Sequence, residues 1–102
     1  MPKSRTQLQE LLESILGSRN VYFQPPESIR MDYPAIVYSL NRITGNHADN
    51  TVYLKNKEYE LKVIDWDPES EIVDKVLKLP FCKFDRSYIA DGLNHFVCTL
   101  YY

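Results

Sequence analysis

The chain has 102 residues, 44% of them hydrophobic and 25% charged, and its 14 acidic and 12 basic residues give a net charge of −2 at pH 7. That length supports one domain, residues 1–102, with a modest core. Acids and bases are interspersed with no block of either sign, which argues against tight nucleic-acid binding, since that relies on clustered Lys and Arg to release counterions, and against an anionic membrane surface as partner.

Met1–Gln9 is polar and unlike a signal peptide, and no apolar run approaches the roughly 20 residues that span a bilayer. A cytoplasmic origin is therefore expected. In that compartment Cys82 and Cys98 stay as thiols and behave as small apolar core residues.

Ser4-Arg5-Thr6-Gln7 fits a capping box, and Leu8, Leu11, Leu12, Ile15 and Leu16 follow at i, i+3, i+4, i+7 and i+8 before Gly17. This predicts a helix over Thr6–Leu16 closed by a glycine that takes positive φ without a Cβ clash. A short helix with one apolar stripe is marginal alone and must dock on something. Leu11 and Leu12 are its predicted core positions.

Val21–Gln24 reads as a short strand stopped by Pro25-Pro26. Tyr33-Pro34 leads into Ala35–Leu40, apolar on both faces, which predicts a central strand covered on both sides. Asn41–Asn50 is polar and contains Gly45, so it reads as an exposed loop where a partner is met, with Arg42, Asn46, His47, Asp49 and Asn50 as interface candidates. Thr51–Leu54 and Glu58–Trp66 read as two antiparallel strands joined at Lys55-Asn56-Lys57. In the second of them Tyr59, Leu61 and Val63 alternate with Glu60 and Lys62, the signature of a half-buried strand.

Asp67-Pro68 supplies an N-cap oxygen and a proline at the first helical position. The helix it opens runs to Lys78, with Ile72, Val73, Val76 and Leu77 on one side and Pro80 limiting its continuation. Cys82–Ile89 and Leu93–Tyr101 then form a hairpin around Ala90-Asp91-Gly92. The order is α-β-β-β-β-α-β-β. It places the chain in the α+β class, a mainly antiparallel sheet packed by an N-terminal helix and a second helix.

No constellation carries a reaction. His47 and His95 lack a Cys or His partner at metal-ligand spacing; each has an acid nearby, Asp49 and Asp91, but a shared site would need two loops to meet, and the plainer reading is a solvated His47 and a hydrogen-bonded His95. Asp65, Asp67, Glu69 and Glu71 are the densest acidic cluster. They lack the glycine and regular ligand spacing of a calcium loop and suit the N-terminus of a helix, whose dipole stabilises acids. The tyrosines Tyr33, Tyr38, Tyr53, Tyr59, Tyr88, Tyr101 and Tyr102 come without the basic groove that base stacking needs, so packing and interface roles are favoured. With no P-loop, dinucleotide fingerprint, nucleophile elbow or zinc-ligand set, no catalytic, cofactor-binding or metal-ligating residue is predicted, and no enzyme.

The capped first helix, Gln24-Pro25-Pro26, Tyr33-Pro34-Ala35-Ile36-Val37-Tyr38, Ala48-Asp49-Asn50, Tyr59 through Asp67, and Asp91-Gly92-Leu93-Asn94-His95 occur in that order. Together they resemble the small head–tail neck proteins of long-tailed bacteriophages and prophages, in particular the tail terminator or tail-completion group. The resemblance implies a structural protein of the virion, made in the host cytoplasm, that forms a ring, commonly a hexamer. Such a ring caps the tail tube protein, meets the head connector or stopper protein and lets DNA pass without specific binding, with no cofactor and no membrane. In a ring of this kind a slightly acidic chain implies a lumen that repels phosphate, with Asp65, Asp67, Glu69 and Glu71 as lumen or rim candidates. Another neck component, such as a head-completion protein, stays open beside the terminator, as does a small nucleic-acid-binding or regulatory module.

Overall fold

The computed structural model describes residues 4–48 and 51–102, with side chains for 4–43 and 57–102. Helix α1 (Arg5–Leu16) opens on the expected capping box: the Gln7 N–H donates to Ser4 Oγ at 3.2 Å, and the Ser4 N–H donates to Gln7 Oε1 at 2.9 Å. Gly17 closes it at φ 82°, its N–H donated to the Glu13 carbonyl at 2.8 Å. Leu8 and Leu12 are fully buried. Leu11 is only half-buried, against expectation, because the α1 stripe is centred one position away, and Leu11 lies over the seam with Leu79 and Leu100.

Strands β1 (Val21–Phe23), β2 (Ala35–Ala48) and β3 (Thr51–Asp65) precede helix α2 (Glu71–Leu77), and strands β4 (Cys82–Ala90) and β5 (Leu93–Tyr101) follow it. The five strands form one sheet in the order β1-β2-β3-β5-β4, with β1 parallel to β2 and every other pair antiparallel. This is the α+β class expected, a mainly antiparallel sheet packed by two helices.

The main core cluster lies on one face. Tyr38, Leu61 and Cys98 stand directly opposite one another across β2, β3 and β5, and the cluster continues through Val21, Ile36, Val63 and Leu100 to Leu8 and Leu12 of α1 and Val73 and Val76 of α2. Tyr38 fills the centre: its ring packs on Phe23 and Tyr59 at 4.9 and 5.9 Å, and its hydroxyl donates to Gln9 Oε1 and accepts from Arg5 Nη1. On the other face of β2, Val37 and Ser39 are only half-buried. The expectation of cover on both sides of Ala35–Leu40 holds in part: both helices join the cluster on one face, while on the other Ala35, Ile64 and Val97 are buried and Val37 and Ser39 half-buried.

Three further expectations change. Asn41–Ala48, predicted as a loop, continues β2, and Thr51–Leu54 and Glu58–Trp66, predicted as separate strands, merge into the single strand β3, which ends at Asp65. The ladder runs unbroken in direction from Ala35↔Ile64 to Ala48↔Thr51, with shifts at Leu40/Arg42 and Asn46/His47. Strand β5 pairs with β3 only from Glu58 to Asp65. Among the described residues the outer part is therefore a two-stranded ribbon, and it is the pairing with Thr51–Lys57 that makes a strand of Asn41–Ala48, whose own polar sequence resembles a loop. The molecule measures 51 × 25 × 22 Å.

The third change concerns α2, which begins at Glu71 with Ser70 as N-cap, in place of Asp67. Ser70 Oγ accepts from the Ile72 N–H at 3.3 Å and donates to Asp65 Oδ2 at 2.7 Å. Asp67 instead takes the Glu69 N–H at 2.8 Å and so shapes the turn ahead of the helix.

Candidate functional site

Three places were singled out or emerge as surfaces: the ribbon, the acidic turn before α2, and the hollow between α2 and β4. The ribbon carries the interface candidates. Arg42 opens it, and Asn46 and His47 lie on its β2 strand, though their side chains fall outside the described residues, as do Asp49 and Asn50 altogether. At the ribbon's root stands Glu58, a carboxylate only 8% exposed. Glu58 accepts from Asn41 Nδ2 at 3.3 Å and from the Tyr101 hydroxyl at 2.9 Å, and pairs with Arg42 Nε at 3.4 Å. A buried carboxylate is tolerated when its lone pairs are taken up in this way, and the arrangement ties both strands of the ribbon to the last strand of the chain. Its hydrogen bond from Tyr101 holds that phenol above its ordinary pKa, because ionising it would set two negative charges side by side. Sequence reading missed Glu58, whose place in an alternating strand looked like a solvent position.

In the acidic turn, the structure separates the four lumen or rim candidates. Asp65 Oδ1 accepts from the Asp67 N–H at 3.2 Å, Asp65 Oδ2 holds Ser70, and Asp67 holds the Glu69 N–H. These two carboxylates are committed to the backbone of the turn. Glu69 and Glu71 are exposed.

Beside them is a surface that sequence reading did not find. Val73 and Leu77 of α2 face Phe84 and Phe96 across a hollow of about 360 Å³ whose rim includes Pro68, Glu69, Ser70 and Asp74. Through Pro68 and Phe96 it joins a second hollow of about 410 Å³ that reaches Ile89 and Asn94. Strand β4 is the outer strand of the sheet, and on it Phe84 is 46% and Ile89 74% exposed. Only tertiary structure places these residues together, since the turn, α2, β4 and β5 each contribute to the lining.

The remaining reactive groups are local. His95 Nδ1 donates to the Leu93 carbonyl at 3.1 Å, and its ring stacks on Tyr88 at 4.8 Å. Cys82 and Cys98 are free thiols on the helix-bearing face of neighbouring strands, Cys82 opposite Leu100 and Cys98 opposite Phe84. The neighbouring Cys98 thiol holds the Cys82 pKa below its ordinary value, and the same neighbour together with burial raises that of Cys98. Among the described residues no group of three or more His, Cys, Asp or Glu gathers as a metal site, and no helix is long and apolar enough to cross a membrane. No protein-family model and no curated protein matches this chain.

Proposed function

We propose that this chain is a structural subunit of the head–tail neck of a long-tailed phage or prophage, a ring-forming tail terminator that acts through its surfaces and not through chemistry. The observation that carries the reading is the two-stranded ribbon from Arg42 to Lys57, which leaves a small domain that exposes an apolar-lined edge elsewhere. An isolated ribbon is marginal in water and gains stability when it lies against a partner. A small body with one projecting element and a separate receiving surface builds head-to-tail contacts, and such contacts form a ring where the rotation between copies closes.

In this reading one face of the ring meets the tail tube protein, the other meets the head connector or stopper protein, and DNA passes through the centre. The protein is a virion component assembled in the host cytoplasm, without cofactor or membrane. Glu71, exposed and free of the turn's hydrogen bonds to Asp65 and Asp67, is the strongest of the lumen candidates. The net charge of −2 disfavours the nucleic-acid module.

Sedimentation and native mass spectrometry of the isolated protein test the proposal, the expected result being a concentration-dependent shift to a closed species of about six subunits. A monomer or dimer at every concentration, together with salt-sensitive DNA binding, would refute it in favour of a nucleic-acid module.

A further inference from the structure

We infer that the hollow between α2 and β4 receives the ribbon of a neighbouring copy of the same chain; this deepens the ring-forming reading and rests on it. The first observation is placement. The ribbon leaves β3 beyond Glu58, whereas α2 and its preceding turn follow Asp65 at the other end of that strand. Seven residue steps at about 3.4 Å put roughly 24 Å between the two ends, and the ribbon runs away from the hollow. No copy reaches its own hollow with its own ribbon. A second copy can, and the contact so made is head-to-tail.

The second observation is charge. The hollow's lining carries two carboxylates, Glu69 and Asp74, and no Lys or Arg. The ribbon strands Arg42–Ala48 and Thr51–Lys57 carry two lysines, Lys55 and Lys57, beyond Arg42, which pairs with Glu58 at the root, and no carboxylate. Its apolar complement to Val73, Leu77, Phe84 and Phe96 begins with Ile43, which is 54% exposed. Opposite charge around an apolar centre favours this pairing and sets its register.

The third observation removes the obvious rival, in which two β4 strands pair edge to edge. Strand β4 is interrupted by a register shift between Phe84 and Arg86 and carries Lys83, Asp85 and Arg86 along its length. A bulge and charges on an outer strand are the features that block edge pairing. The apolar hollow beside it has no such protection.

Charge exchange tests the inference. The ribbon variant Lys55→Glu with Lys57→Glu, and the hollow variant Glu69→Lys with Asp74→Lys, are each expected to raise the concentration for half-assembly by roughly tenfold or more, and the chain carrying all four changes to regain most of the loss. Ile89→Glu, at a position 74% exposed and outside the core, should weaken assembly as the hollow variant does. Circular dichroism establishes that each variant is folded. Wild-type rings that persist unchanged in the ribbon, hollow and Ile89→Glu variants would overturn this inference and leave the ring reading standing, as would a fourfold variant no better than its parents. A wild-type chain that never assembles would overturn both.

Discussion

Truncating Leu12 to alanine tests whether α1 is held by the sheet or merely lies near it. Leu12 is 0% exposed and packs in the cluster that joins Leu8, Val21, Ile36 and Tyr38. The change removes three carbons from a dry site, about 2.4 kcal/mol at about 0.8 kcal/mol per methylene. The void adds to this in proportion to its volume, since β2 and β3 beneath it are fixed by their ladder and cannot collapse into the space. A total of about 2.5–5 kcal/mol results, a large share of the roughly 5–15 kcal/mol that stabilises a domain of this kind. In urea titration the midpoint should fall by about 1–3 M at ordinary slopes, and the melting temperature by at least about 10 °C. Leu11 is the control. Being half-buried, it should lose about 1 kcal/mol on the same truncation. A loss below about 0.5 kcal/mol for Leu12→Ala, or losses equal at the two positions, would refute the docking of α1 through Leu8 and Leu12.

Two further outcomes follow from local geometry. Ser70→Ala should cost about 1–2 kcal/mol, because it frees both the Ile72 N–H and an Asp65 oxygen, whereas Asp67→Ala should cost less; the reverse ranking in denaturant titration would return the cap to Asp67. Iodoacetamide should label Cys82 before Cys98 in the folded protein, with a rate that rises with pH through a midpoint below the ordinary thiol value of about 8.5, since the thiol of Cys98 stabilises the Cys82 thiolate. Peptide mapping after timed alkylation reads this directly, and equal labelling of the two thiols would contradict the half-buried and buried assignments.

The sequence by itself determined the features that rest on neighbours along the chain. The capping box at Ser4–Gln7, the stripe from Leu8 to Leu16 and the glycine stop are local hydrogen bonds and a local period, and all appear in the fold. The turn at Asp91-Gly92 between β4 and β5 likewise needs only adjacent residues, whereas the unbroken burial of Val97 to Leu100 in β5 depends on what lies over both faces of the sheet. What tertiary structure decided depends on partners distant in sequence. Asn41–Ala48 became strand because Thr51–Lys57 lies beside it, and its own polar sequence carries no hydrophobic period to read. Ser70 displaced Asp67 as the cap because Asp65, at the end of β3, is placed to take its hydroxyl proton; along the chain, both residues are equally good caps. Glu58 is buried because Asn41, Arg42 and Tyr101 converge on it from β2 and β5, a convergence that no spacing encodes. The hollow is the extreme case: its Val73, Leu77, Phe84 and Phe96 read in sequence as ordinary core residues. That they line an open surface follows from their meeting beside β4, the last strand of the sheet, where Phe84 is left exposed.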